Sequence, residues 1–246
     1  MIHRASLRTP LFAAAAVLLA SGCAKTSGDG SDGDGGSASS GGSACGSKQD
    51  AEGTPIVVRF VNERPEEIYL WTDCDVPDRP SFVLSRDGET VKIDKPTCSG
   101  TCGQAQTDEE PYCPTVDCER GKLLRVEAGA TYEYAWQAAE LVLSSMPDDC
   151  YHASKTIQSS CWRQVDLPES TFVAGGELYI KQQLQESGAP PMQDGCPCAL
   201  PADTDGVCEI DRDFCSVEGT GVALPQVTVD LPSAGAIDFV ITAAGS

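Results

Sequence analysis

The chain has 246 residues, of which 37 are acidic and 17 basic, so its formal charge at pH 7 is −20. A surface this acidic repels nucleic acid and anionic lipid over a Debye length, which excludes nucleic-acid binding as the expected function. The 13 cysteines of the chain are typical of an exported protein in an oxidising compartment.

Residues 1–22 have the order of a signal peptide. Arg4 and Arg8 precede an unbroken apolar stretch from Leu11 to Ala20. That stretch is too short for a stable membrane-spanning helix, which needs about 20 apolar residues. We therefore predict a secretion signal that is removed from the mature protein.

The signal ends in Ala20-Ser21-Gly22-Cys23, which resembles the lipobox of bacterial lipoproteins. The resemblance implies cleavage before Cys23, a diacylglyceryl thioether on its sulfur and an acyl chain such as palmitate on its new amine. Two or more acyl chains anchor a protein stably, whereas one chain binds only marginally. Ala24 stands where aspartate often signals inner-membrane retention, so we predict an envelope protein at the outer membrane or the cell surface. The alternative is a soluble secreted protein.

A tract of glycine, serine, alanine and aspartate follows, from Ala24 to about Gly46. This composition buries no core and predicts a flexible tether whose root-mean-square reach is roughly 25–30 Å. The predicted organisation is a signal peptide over 1–22, a lipidated cysteine and tether over 23–50, and one folded domain over 51–246.

The folded part contains short runs rich in β-branched and aromatic residues, separated by turn residues. In "TYEYAW", Tyr132, Tyr134 and Trp136 fall on one face, the period of two expected for a half-buried strand with a core stripe. Asp87-Gly88 lies between two such runs and predicts a two-residue hairpin turn. The predicted strands are TPIVVRFVNE, EEIYLWT, the two halves of SFVLSRDGETVKID, KLLRVEAGATYEYAW, ELVLSS, CWRQVDL, GELYIKQQL, QVTVDL and AIDFVIT.

The only helix predicted from the pattern is a short one over 182–187. Short strands without intervening amphipathic helices predict an all-β fold, an antiparallel immunoglobulin-like β-sandwich with long disulfide-stapled loops. The stretch "VEAGATYEYAW" is similar to one strand of the immunoglobulin-like sandwiches of Cys-rich bacterial lipoproteins and, more distantly, to the bacterial intracellular proteinase inhibitor family.

Twelve cysteines remain after Cys23, an even number that predicts a framework of up to six disulfides whose connectivity the sequence leaves open. Zinc is the alternative, since Cys98-x3-Cys102 and Cys113-x4-Cys118 approach a zinc-ligand spacing. The clusters over 98–118 and 196–215 predict long stapled loops. The disulfide candidates are Cys45, Cys74, Cys98, Cys102, Cys113, Cys118, Cys150, Cys161, Cys196, Cys198, Cys208 and Cys215.

The second cysteine cluster also carries five acidic residues around Gly206. Hard oxygen ligands at this density suit Ca²⁺, although Pro201 and Arg212 occupy the first and last ligand positions of an EF-hand loop. The alternative is a solvated acidic loop pinned by disulfides. The candidate calcium ligands are Asp203, Asp205, Glu209, Asp211 and Asp213.

No cofactor and no catalytic set is predicted. His152 is the only histidine after the signal, and a Ser-His-Asp site built on it is one conceivable catalytic arrangement. The abundant carboxylates neither support nor exclude a glycosidase-type pair. We therefore expect a lipid-anchored binding or structural module whose partners are the membrane and an unknown envelope protein or glycan. The alternatives are an envelope hydrolase and a protease inhibitor that presents a stapled loop.

Overall fold

The computed structural model describes residues 45–46, 48–73, 79–94, 100–108, 121–186, 196, 198–199, 205–210 and 215–243. Nearly all regular structure in these ranges is β-strand, which confirms the all-β prediction; the immunoglobulin-like subtype stays a prediction. One α-helix lies wholly within these ranges, α1, Cys102–Ala105. The strands are β1 Thr54–Asn62, β2 Ile68–Trp71, β3 Phe82–Arg86, β4 Glu89–Val91, β5 Leu123–Val126, β6 Thr131–Ser144, β7 Cys161–Asp166, β8 Ser170–Ile180, β9 Leu184–Glu186, β10 Val207–Glu209, β11 Cys215–Val217, β12 Val222–Ala223, β13 Val227–Leu231 and β14 Ala236–Ile241.

Two main sheets are formed. The four-stranded sheet has the order β14-β1-β6-β7, and the larger sheet has the order β10-β5-β2-β8-β3-β4, with β12 and β13 also paired to β8. Strands β9 and β11 pair separately. The described pairings are antiparallel, as predicted, except that β14 runs parallel to β1.

The predicted hairpin joins β3 to β4. Asp87 and Gly88 both have positive φ, 55° and 83°, the conformation that a two-residue type I′ turn requires and that Asp-Gly adopts readily. Arg86 consequently pairs with Glu89 at the end of the ladder.

One hydrophobic core joins the two main sheets. Phe60 and Phe239 stack with ring centroids 5.1 Å apart on the four-stranded sheet, and Phe82 from the larger sheet meets the edge of Trp136 at 5.3 Å. Tyr132 and Tyr134 are half-buried and pack against this core. The aromatic stripe of β6 therefore has the core role predicted for it.

A second buried cluster lies on the other face of the larger sheet. Tyr69 and Tyr179 pack there with Leu123, Ile210 and three cysteines of the second cysteine cluster. The predicted loop over 196–215 therefore contributes to this cluster. Strand β10 lies within that stretch, and β11 begins at its last residue.

The helix predicted over 182–187 is wrong. Lys181–Gln183 form one 3-10 turn and Leu184–Glu186 form β9, which pairs with β11. The disulfide of Cys215 with Cys196 fixes β11 nearby, and strand pairing overrides the favourable helix propensity of the glutamines, because tertiary contacts outweigh such local preferences. Ser187 lies outside the described residues.

Two strand predictions change in extent. The runs "TYEYAW" and "ELVLSS" belong to one continuous strand, β6. Strand β8 begins at Ser170, before the predicted start, and contains Gly175-Gly176. A Cβ at Gly176 would lie 3.2 Å from the carbonyl oxygen of Ser81 and 3.0 Å from Leu224, so this glycine serves a close approach within the sheet and not a turn.

Candidate functional site

Strand β6 changes its partner strand partway along its length, and a concave surface lies beside the point of change. Residues 131–138 of β6 pair with β1, whereas residues 139–144 pair with β7. Ala138 and Ala139 are both buried at the changeover, which breaks the alternation of inward and outward side chains. Beyond it, the N–H of Leu141 donates to the carbonyl oxygen of Lys92 at 2.7 Å. The strand thus links the four-stranded sheet to the segment after β4.

A cleft with a volume of about 340 Å³ lies beside this changeover. We call it the arginine cleft, because the guanidinium of Arg79 lines it together with β6, β7 and the segments next to β2, β4 and α1. Its apolar wall includes Ile93, Trp136, Ala139 and Leu141. The volume falls in the range of about 300–1,000 Å³ that small-ligand sites occupy.

Arg79 is buried, with only 6% of its side chain exposed. Its Nη2 lies 2.8 Å from Oδ2 of Asp73 and forms a second ion pair with Asp94. A buried guanidinium needs such partners, because an unpaired charge away from water is strongly unfavourable. One nitrogen thus joins two carboxylates from segments that are 21 positions apart in the sequence.

The local backbone explains why Asp73 and Arg79 approach. The N–H of Asp73 donates to the carbonyl oxygen of Arg79 at 2.8 Å, and the N–H of Ser81 donates to Trp71 at 2.8 Å. Thr72 and Pro80 form an isolated antiparallel bridge between these bonds. The chain after β2 therefore returns on itself, and the two charged side chains emerge next to each other.

The polar lining of the arginine cleft is mainly acidic. Glu52, Asp73 and Asp94 contribute three carboxylates against the single guanidinium of Arg79. Gln137 and Gln164 add two side-chain amides. The side chain of Asp94 is 44% exposed, and Glu52 is exposed, so both side chains are accessible to solvent.

The segment before β1 holds Glu52 in place. Asp50 accepts hydrogen bonds from the N–H of Gln164 at 2.9 Å and from the N–H of Gly103 in α1 at 3.0 Å. The N–H of Ala51 donates to the carbonyl oxygen of Gln164 at 2.9 Å. Glu52 follows directly, so two hydrogen bonds to β7 and one to α1 fix the backbone next to it.

Two disulfides attach this segment and α1 to the domain. Cys45 pairs with Cys150, and Cys102 pairs with Cys161 at the start of β7. Together with Met146 they form a small buried cluster. The described part of the predicted tether is therefore fastened to the side of the domain that carries the arginine cleft.

An apolar pair extends the cleft wall along β6 and β7. Leu143 and Trp162 are directly opposite in the register and share a face with Leu141 and Gln164, since residues two apart point to the same side. Leu143 is 62% exposed. Nζ of Lys92 lies 4.8 Å from the centroid of the Trp162 ring, within the range of a cation–π interaction.

A second concavity of about 520 Å³ lies at the start of β6, lined by Gly129, Glu133 and Asp205 among others. Glu133 is already paired, because Nε of Arg59 lies 2.9 Å from its Oε1. The described side chains that line this open surface do not form a recognisable catalytic or metal-binding set.

The structure pairs eight of the twelve predicted disulfide cysteines. The bonds are Cys45–Cys150, Cys102–Cys161, Cys196–Cys215 and Cys198–Cys208. This contradicts the zinc alternative at Cys102, since a disulfide sulfur does not serve as a thiolate ligand. Cys74, Cys98, Cys113 and Cys118 lie outside the described residues, as does Cys23.

A geometric cluster of Cys45, Asp149 and Cys150 has its ligand atoms within 4.8 Å of one another. Both cysteines of this cluster are joined in a disulfide. The cluster therefore offers one free carboxylate and is a crosslink, not a metal centre.

Two of the five calcium candidates are described. Asp205 precedes Gly206, whose φ of 74° favours glycine. Glu209 on β10 forms an ion pair with Lys122 at 3.2 Å. In the described portion of this loop, the two carboxylates do not join a third ligand within 4.8 Å. Asp203, Asp211 and Asp213 lie outside the described residues.

His152 is exposed and lies in a turn. Its Nδ1 is 2.9 Å from the hydroxyl oxygen of Ser154. The same nitrogen accepts a hydrogen bond from the backbone N–H of Ser154 at 3.3 Å. No carboxylate in the described ranges forms an ion pair with it. The ring therefore closes a local turn, and the part of the chain that is described does not assemble a Ser-His-Asp triad on it.

No protein-family model, curated protein or solved structure matches this chain. None of the helices in the described ranges has the length and hydrophobicity needed to cross a membrane.

Sequence reasoning missed the arginine cleft. Arg79 lies in the turn-rich stretch "DVPDRPSF", where a charged side chain is expected to be solvated. Its burial depends on Asp73 and Asp94, which belong to different turns, and no local pattern connects those turns.

Proposed function

We propose that this chain is an exported envelope lipoprotein, anchored through Cys23, whose β domain binds a ligand in the arginine cleft. The observation that carries the proposal is the cleft itself, an apolar wall beside convergent charged groups. Pockets with this combination are the usual sites of ligand binding.

The disulfides support the exported location. Four bonds in one small domain persist in oxidising compartments and are rare where glutathione keeps thiols reduced. The signal and lipobox features supply the anchor. A tether that reaches roughly 25–30 Å from the membrane holds the domain clear of the lipid while keeping it at the surface.

Rigidity around the cleft also supports binding. Disulfides hold α1 and the segment before β1, and the bonds of Asp50 fix Glu52 beside β7. Side chains placed on such a crosslinked frame lose little conformational entropy when a ligand binds, which favours affinity.

A fragment screen by NMR on the disulfide-bonded domain tests the proposal. A library with cationic, anionic, neutral apolar and sugar fragments should shift backbone amides of cleft residues such as Gln137, Leu141 and Gln164. Gln137→Trp, which fills the opening from an exposed strand position, should abolish those shifts.

Val83→Trp is the matched control, because Val83 is 55% exposed on β3 and does not line the cleft. It should leave the shifts unchanged. Failure of every fragment class to perturb the cleft amides would overturn the binding proposal.

A further inference from the structure

We propose that the arginine cleft binds an organic cation, a primary ammonium or guanidinium group carried on an apolar stem. This inference rests on the proposed function, because it names the ligand class of the same cleft.

The charge balance of the cleft is the first observation. Three carboxylates and one guanidinium leave the described lining with a formal charge of −2. Arg79 neutralises one carboxylate and is shared by Asp73 and Asp94, while Glu52 forms no ion pair with a described residue. An arriving cation therefore meets a net negative charge from the described lining.

The charge of the whole chain acts in the same direction. The formal charge of −20 raises the local concentration of cations and lowers that of carboxylates and phosphates. An anion that approached Nη2 of Arg79 would also compete with Asp73 and Asp94, which already pair with that nitrogen. Anionic ligands are disfavoured on both grounds.

The aromatic rings distinguish a cation from a neutral glycan. Sugar recognition by stacking requires an open ring face, but Trp136 is only 4% exposed and meets Phe82 edge to face. Tyr134, the other aromatic residue of the described lining, is half-buried and packs against the core. Lys92 occupies the position over Trp162. The cleft therefore offers carboxylates and aliphatic carbon more readily than a stacking platform.

The wall that runs from Ala139 and Leu141 to the exposed Leu143 matches an aliphatic stem. Lysine and arginine side chains commonly lay their methylene groups on apolar surface while the charged head stays polar. A ligand of this kind would place its methylene groups on the β6 wall and its charge near Glu52 and Asp94. Both a basic side chain of a partner protein and a free polyamine have this chemistry.

Isothermal titration and NMR with matched probes test the inference. Nα-acetyl-lysine methylamide and Nα-acetyl-arginine methylamide should bind in the cleft, and their affinity should fall as salt rises. Nα-acetyl-norleucine methylamide, which keeps the stem and lacks the ammonium, should bind more weakly, and the corresponding glutamate probe should not bind. Comparing the affinities of spermidine and a short lysine peptide separates a free polyamine from a basic side chain of a partner protein. Tighter binding of spermidine indicates the polyamine, and tighter binding of the peptide indicates the partner protein. Either result supports an organic cation as the ligand.

Charge-removing variants locate the effect. Glu52→Gln and Asp94→Asn should each weaken the lysine probe about twofold to fivefold, the range of an exposed ion pair. Glu169→Gln removes an equal charge from an exposed position outside the cleft and should change nothing. If Asp94→Asn disturbs folding, Glu52→Gln alone still tests whether the cation binds in the cleft. Glu52 is exposed, so we expect its replacement to leave the fold intact.

Binding of norleucine or glutamate probes as tightly as lysine would overturn the inference, and so would equal weakening by Glu169→Gln. Binding of a neutral disaccharide in the cleft without cation binding would overturn it while leaving the proposed function intact. If no probe of any class binds in the cleft, both the cation inference and the proposed function are overturned.

Discussion

Nδ2 of Asn62 lies 3.1 Å from the carbonyl oxygen of Val126 and donates a hydrogen bond from the end of β1 to the end of β5. The same amide lies within 3.0 Å of the carbonyl oxygens of Glu66 and Glu127, and its Oδ1 accepts from the N–H of Arg64 at 3.1 Å. Asn62 is fully buried. One side chain therefore satisfies the backbone where the two main sheets meet.

Asn62→Ala should lower the free energy of unfolding by about 3 kcal/mol, because several buried backbone groups lose their partner. Urea denaturation measures the change. Ser85→Ala, which removes one hydrogen bond to Val173 on a half-buried strand, is the control and should cost about 1 kcal/mol or less. A loss no larger than that of the control would contradict the structural role given to Asn62.

The disulfides should differ in their contribution to stability. Cys45 and Cys150 are separated by 105 positions, whereas Cys198 and Cys208 are separated by 10. Closing the longer loop removes more entropy from the unfolded chain, about 4.7 kcal/mol against about 2.7 kcal/mol in the chain-entropy model. Replacing both cysteines of each pair with serine and comparing denaturation midpoints tests the order. Greater destabilisation by the Cys198/Cys208 replacement would show that packing around a disulfide, and not the length of the loop it closes, sets its contribution to stability.

Tyr69 should make the domain sensitive to alkaline pH. Its burial raises the pKa of the phenol well above the ordinary value of about 10, and the charge of Glu67 raises it further. The unfolded chain then loses this proton at a lower pH than the folded domain. The stability linked to Tyr69 is therefore present below about pH 10 and falls as pH rises above it.

Denaturation of wild type and Tyr69→Phe at a series of pH values checks this prediction. The variant should lose less stability than wild type above about pH 10. Tyrosinate absorbance should also match in the two native proteins and differ by one tyrosine after unfolding. A native wild-type protein that ionises one more tyrosine than the variant would contradict the prediction.

The acidic loop should respond equally to Ca²⁺ and Mg²⁺. Glu209 is engaged by Lys122, and divalent cations stabilise any chain of this charge by relieving self-repulsion. Extracellular Ca²⁺ sites bind with Kd of about 10⁻⁴–10⁻³ M, so thermal melts need cation well above that range at equal ionic strength. A shift specific to Ca²⁺ that Asp205→Asn removes would establish the calcium alternative instead.

Periodicity predicted those parts of the fold whose signal is local. The alternation in β6 and the Asp87-Gly88 turn each depend on neighbouring residues, and both have the predicted form. The continuity of β6 across Ala138 and Ala139 was not predictable, because it depends on a change of partner from β1 to β7. The same limit applies to the cleft, where Arg79 is buried only because two distant carboxylates converge on it.

Anchoring through Cys23 is the claim on which the proposed location of the domain at the membrane depends. The most direct test is mass spectrometry of the N-terminal peptide of the protein extracted from membranes. We predict a mature chain that begins at Cys23 and carries a diacylglyceryl thioether and an amide-linked acyl chain. We also predict that Cys23→Ser moves the protein to the soluble fraction. An unmodified Cys23, a mature N-terminus elsewhere, or membrane retention of Cys23→Ser would contradict it.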